Sequence, residues 1–334
     1  KLQSNHLLYS IWLDFRKREQ QACQEGKPFA YCSGGIVPTR LLTAMGLYPL
    51  ILPTIGDRAG SELAEKAFRT IWARGFPDPG CDRTLVPIGM AINGDLPPPS
   101  IVIDAAGICI PETSSSLWAG LHFDCPRFCF DIPYEHSWEG LQYLVRQIQE
   151  MIDFIKREVP GTEYDENKLI EFQNIAKREH PIYREIHKLK STIPCPLSPT
   201  DSFRMPAYEI IDDPRTLQYA EMYREELRER VKIGFSAVGQ EKLRLAWLVS
   251  GPYHTNPFGL LEDKGVSVPW FEFGQAMGFY GVGGYGVYGD ETEYGRQLTL
   301  MEEEARVLNH NTWGGQGCGE TGGSHTSCMP RNED

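Results

Sequence analysis

Apolar residues recur at helical spacing at the head of the chain, where Leu7, Leu8, Ile11, Trp12 and Phe15 predict a helix over residues 1–25. The pattern then shortens. The stretch FAYCSGGIVPTRLLTAMGLYPLIL predicts a strand, a Gly-Gly turn, a helix from about Pro38 and a second strand after Gly46. Further helices are predicted over 61–74 and near Thr84–Ile92. Ser100–Ala105 (SIVIDA) and Phe128–Ile132 (FCFDI) are near-continuous apolar runs of the kind that a parallel sheet buries on both faces. Strands alternating with helices in this way predict a doubly wound α/β domain.

From Trp138 the period lengthens again. Leu141, Leu144, Val145, Ile148, Met151, Ile152 and Ile155 mark one long amphipathic helix, stopped by Pro160-Gly161. A second helix is predicted from Asp165 to Lys177 and a third after Pro181, and STIPCPLSPTD reads as a Pro-rich linker. A charged helix from Pro214 to Ile233 ends at Gly234, after which Leu243–Ser250 and Val266–Phe273 restart the strand pattern. The expected fold is α/β, with two doubly wound parallel-sheet domains joined by a helical segment. The N-terminal domain with its leading helix takes 1–160, the helical connector 161–237 and the C-terminal domain 238–334. That last domain is expected to be incomplete, because only residues 319–334 follow Cys318.

Size and charge narrow the field. A chain of 334 residues has room for two cores. The net charge of −12 argues against nucleic acid and anionic membrane as main partners, though a few local cations or N–H groups suffice for a phosphorylated ligand. No apolar run reaches 18 residues and no signal peptide is visible, so a cytoplasmic protein is expected. Nine cysteines, an odd number in a long chain, fit a reducing compartment with some thiols reserved for metal or redox chemistry better than a disulfide framework.

Three of those cysteines stand beside glycine in segments that read as loops leaving strands: Cys81 in PDPGCDRT, Cys109 in SIVIDAAGICIPET and Cys318 in NTWGGQGCGETGG. Ligands bind at the carboxyl ends of strands in open α/β sheets. A helix N-terminus, expected behind both Cys81 and Cys109, favours thiolate. Together the three could hold three irons of a 4Fe-4S cluster and leave the fourth open. Three unrelated cysteines near turns are the alternative. The Ser33-Gly34-Gly35 turn ahead of a helix offers N–H groups to a phosphate, or is simply a tight turn. His254, in the loop SGPYHTNP, is a candidate proton donor, and Arg40 a candidate cation for an anionic ligand. Gly281–Gly286 (GVGGYG) matches a dinucleotide pattern but lacks the helix that must follow, so a loop is expected, with Phe279, Tyr280, Tyr285 and Tyr288 as possible lining of a flat pocket. No P-loop lysine motif is present in the sequence.

The segment PTRLLTAMGLYP at 38–49, Cys81, Cys109, the passage from PRFCFDIPY into the long helix, GTEYDENKL and EKLRLAWLVSGPYHTNP resemble the 2-hydroxyacyl-CoA dehydratase and benzoyl-CoA reductase family of iron–sulfur subunits. The resemblance runs from residue 28 to 318. It implies a 4Fe-4S cluster in the cleft between the two α/β domains, with Cys81, Cys109 and Cys318 as ligands and Cys328 as a competitor for the third place. It also implies a homologous iron–sulfur subunit as heterodimer partner, a separate ATP-hydrolysing iron–sulfur activator, and an acyl-CoA substrate reduced by one electron to a ketyl-type radical. Where many relatives carry Glu this chain has Arg40, and the Ser and Glu of some dehydratase sites fall at Gly35 and Thr54. These departures tilt the expectation toward an ATP-dependent aryl-CoA reductase of the benzoyl-CoA type. A 2-hydroxyacyl-CoA dehydratase subunit and a non-catalytic electron-transfer subunit are the alternatives within the family, and a metal-free ligand-binding protein the one outside it.

Overall fold

The computed structural model describes residues 2–33, 37–75, 81–106, 109–133, 135, 137–203, 210, 212–247, 257–271 and 294–310. These residues fall into two compact units. One holds 19–170 with 298–310, the other 2–18 with the described residues of 171–297.

The first unit is built on a parallel sheet of four strands: β1 (Phe29–Cys32), β2 (Tyr48–Ile51), β3 (Ile101–Ala106) and β4 (Arg127–Asp131), in the order β2-β1-β3-β4. Ala30 pairs with Pro49 on one side and Ile101 on the other, and Val102 with Arg127. Crossovers carry α2 (Thr39–Ala44) between β1 and β2, then α3 (Leu52–Arg58), α4 (Ser61–Ala73) and α5 (Asp82–Ile92) between β2 and β3, and α6 (Ile110–Phe123) between β3 and β4. Alternation along each strand decides which side chains meet which helices. Phe29, Tyr31 and Val102 join Ile55, Ala67, Val86, Met90 and Ala119 in one core beneath α3 to α6. On the opposite face Phe128 meets Phe154 of α7 (Trp138–Glu158) at 5.7 Å. Asp104 interrupts the apolar run of β3 without exposure, and Arg127 on the paired strand compensates it with two bonds of 3.0 and 2.7 Å to one oxygen.

The second unit contains most of α1 (Ser4–Gln24) and α8 (Glu166–Lys190), with α9 (Pro199–Phe203), α10 (Arg215–Lys232) and the parallel pair β5 (Leu243–Trp247) and β6 (Val266–Phe271), linked by α11 (Phe258–Asp263). The two helices expected on either side of Pro181 are one. Buried Leu169, Phe172, Ala176, Ile182, Tyr183 and Ile186 keep a single apolar stripe running past the proline, so packing overrides its missing N–H.

A second correction concerns residues 300–310. The segment VLNHNTW (307–313), which in the sequence reads as a strand end ahead of Cys318, begins instead in a helix: residues 307–310 close α12 (Leu300–His310), which packs along α7. The reason is local. Thr299 and Glu302 form a capping box, the Thr299 N–H donating to Glu302 Oε2 at 2.8 Å and the Glu302 N–H facing Thr299 Oγ1 at 3.4 Å. No helix among the described residues is long and apolar enough to cross a membrane.

Candidate functional site

The strand order fixes where a ligand should sit. From β1 the chain crosses to β2 on one side, and from β3 to β4 on the other, so the loops diverge at the carboxyl edge between β1 and β3. Three described residues stand around that divergence: Ser33, directly after β1, Cys109, three residues after β3, and Cys81 at the head of α5.

Both cysteines are N-cap residues with extended backbone, Cys81 of α5 and Cys109 of α6. Each carbonyl is held by a threonine one turn on. The Thr84 N–H and hydroxyl both reach the Cys81 carbonyl at 2.9 Å. The Thr113 N–H reaches the Cys109 carbonyl at 3.0 Å, and its hydroxyl lies 3.2 Å from the same oxygen and 3.0 Å from Ala105 O at the end of β3. Each thiol therefore leaves a fixed turn, on a cysteine that is half-buried.

The two thiols are within electrostatic reach of one another. Burial pushes the Cys109 thiol up, and the Glu112 carboxylate and Cys81 push it further. The Glu112 amide and Arg83 oppose them, the amide short of full hydrogen-bond geometry. The lowering expected from the helix N-terminus is thus outweighed by burial, and Cys109 alone is a protonated thiol at neutral pH. A cation shared with Cys81 would reverse that balance by removing the repulsion and drawing off the proton.

Arg40 is half-buried on the first turn of α2, and that helix has only six residues, too few for a strong dipole at a phosphate cradle. Gly34, Gly35, His254, Cys318, Cys328 and the aromatics Phe279, Tyr280, Tyr285 and Tyr288 lie outside the described residues. Cys23 is exposed on α1. Cys129 stands on β4 opposite Asp104, its thiol pushed up to about 12 by burial and by that carboxylate. Among the described residues no three His, Cys, Asp or Glu side chains converge on one metal position.

Sequence reasoning names Ser33 for its backbone N–H alone and misses its hydroxyl. Ser33 is 1 % exposed, and its hydroxyl has no hydrogen-bond partner among the described residues, although its amide is held by Ile103 O at 3.2 Å. A buried hydroxyl without a partner at the carboxyl edge of a central strand is a candidate ligand contact. The signal is a serine at the end of an apolar strand and ahead of two glycines. Thr84 and Thr113 were also legible, three and four residues after the two cysteines.

Residues 35–293 match the family model described as 2-hydroxyglutaryl-CoA dehydratase, D-component. The chain belongs to that family. It is also 29 % identical over 164 residues to the lactoyl-CoA dehydratase subunit alpha of Anaerotignum propionicum. That match covers 46 % of this chain and 38 % of the relative, so the chain spans well under half the length of the curated relative it matches. The dehydratase side of the sequence resemblance is thereby shown.

Proposed function

We propose that this member of the D-component family is the iron–sulfur subunit of a 2-hydroxyacyl-CoA dehydratase. The observation that carries the reading is the pair of helix-capping cysteines, Cys81 and Cys109, brought within electrostatic reach at the carboxyl edge of one parallel sheet. Their donor chemistry fits a 4Fe-4S cluster: two half-buried cysteines on fixed turns, with Cys81 making the Cys109 thiolate more costly until a cation joins them. Cys318 is proposed as the third ligand. When bound, such a cluster supplies single electrons at low potential and an open Lewis-acidic iron.

The chain's own residues prepare that position. Thr84 and Thr113 hold the turns from which the sulfurs project. Burial of Cys109 keeps bulk water from part of the site. Ser33 offers a hydroxyl to a substrate oxygen, and the N–H groups of Gly34 and Gly35 with Arg40 would meet the anionic part of an acyl-CoA. His254 is retained as the proposed proton donor. The proposed partners are a related iron–sulfur subunit and an ATP-hydrolysing activator.

Aryl-CoA reduction is the second reading. It rests on Arg40 standing where many relatives carry Glu, and on Gly35 and Thr54 standing where some dehydratase sites carry Ser and Glu. Ser33, two residues before Gly35, supplies a buried hydroxyl and weakens one of those three grounds. An anaerobic assay with partner subunit, activator, ATP and a panel of thioesters separates the readings. The proposal expects dehydration of a 2-hydroxyacyl-CoA, and ring reduction of an aryl-CoA alone would overturn it.

A further inference from the structure

Helix α5 is the element that delivers Cys81, and its seating is unusually close at two glycines. A Cβ built on Gly56 of α3 would stand 2.4 Å from the Arg83 carbonyl oxygen and 2.9 Å from both the carbon and the Cα of that residue. A Cβ on Gly89, inside α5 itself, would stand 2.4 Å from the Ala67 carbonyl oxygen of α4 and 2.7 Å from its carbon and Cα. All of these are backbone atoms, so no side-chain rotation relieves the overlap. Either substitution must move a helix.

The two contacts differ in where they act. Arg83 is the second residue of α5, two beyond the Cys81 cap, and its peptide lies in the first turn that the Thr84 and Leu85 amides close onto the Cys81 carbonyl at 2.9 and 3.0 Å. Gly89 touches α4 two turns further along. A shift at Gly89 displaces the body of the helix, whereas a shift at Gly56 displaces the turn from which the thiol projects. Cys109 is anchored separately, to β3 through Thr113.

We propose that Gly56 is a positioning residue for the thiol pair, its bare Cα letting α3 buttress the first turn of α5 and so setting where Cys81 stands against Cys109. The inference rests on the paired-thiol reading and deepens it. The test uses the full-length apo chain with phenylarsine oxide, a trivalent arsenical that bridges two nearby thiols with loss of water. The Cys81–Cys109-bridged peptides are then quantified by mass spectrometry. Wild type should bridge the pair efficiently. Gly56→Ala should lower the bridged fraction at least about fivefold, while Gly89→Ala, with a comparable fall in Tm, should stay within about twofold of wild type. Equal bridging in folded Gly56→Ala and wild type overturns the proposal, as does an equal loss in both variants, which would mean general loosening. Absence of bridging in wild type overturns the paired-thiol reading itself. Should Gly56→Ala fail to fold, hydrogen exchange on wild type decides. The Thr84 and Leu85 amides should exchange as slowly as those of the α5 interior, and fraying rates there overturn the buttress.

Discussion

The Thr113 hydroxyl reaches two carbonyls, Ala105 at the end of β3 and Cys109 at the cap of α6, and so fixes where the second thiol leaves the sheet. Thr113→Val keeps the shape and removes the donor. It should cost about 1 kcal/mol, read from the denaturant midpoint, and lower the iron retained per chain. Asp104 poses a harsher case, because its carboxyl is fully buried and Arg127 is its cationic partner. Arg127→Leu should destabilise the chain by about 3 kcal/mol or more, and adding Asp104→Asn should recover part of that loss, since the penalty lies mainly in the charge left behind. Glu241 gives the clearest pH signature. Burial works to raise its carboxyl, but the Cys195 amide at 2.7 Å, the Ser267 hydroxyl at 2.7 Å and Arg244 outweigh it and hold the group below the usual carboxylate range. A depressed folded value contributes stability that is present above the unfolded value and lost as pH falls through the folded one. Acid titration of Glu241→Gln should therefore show a shallower loss of stability than wild type below about pH 4.5, and parallel curves would remove this role.

At the scale of elements, the helix α8 tests how packing overrides local preference. Pro181 is solvent-facing inside α8 and can send no N–H to Lys177. Pro181→Ala should restore that bond and raise stability by about 2 kcal/mol after the greater freedom of the unfolded chain is allowed for, seen as a higher Tm. Residues 166–190 also show what the sequence could and could not reveal. Continuous apolar runs and helical spacing, with the turn residues between them, place β1 to β4, α4, α5 and α7 to within a few residues, because those elements bury one face or both. The break expected at Pro181 was wrong because a proline penalty of a few kcal/mol is smaller than the burial of the apolar stripe on either side of it. The helix α12 was misread for a complementary reason. VLNHNTW reads as a strand end in isolation, while the signal that commits residues 307–310 to a helix, Thr299-x-x-Glu302, lies upstream. In the site, Cys81 and Cys109 are legible as residues beside turns, and that setting already leads the sequence to expect them together. The strand order and the close seating of α5 on α3, which set how the two thiols stand, have no linear signature.

At the scale of the whole molecule, the proposed function requires that Cys81 and Cys109 ligate the same iron–sulfur cluster. The order β2-β1-β3-β4 places the end of β3 beside the end of β1, so the Cys109 loop and Ser33 open on one edge. The net charge of −12 makes local cations matter for any CoA ester, and Arg40→Gln should raise KM for the thioester several-fold with kcat less affected if Arg40 meets its anionic part. The most direct test is made under anaerobic conditions on the full chain: iron and sulfide content, with the visible spectrum, for wild type, Cys81→Ser and Cys109→Ser, and for Cys129→Ser as a control. About four irons per chain in wild type and in Cys129→Ser, with loss of most iron and of the charge-transfer absorption in both other variants, is the predicted result. Full iron content in either Cys81→Ser or Cys109→Ser would contradict it.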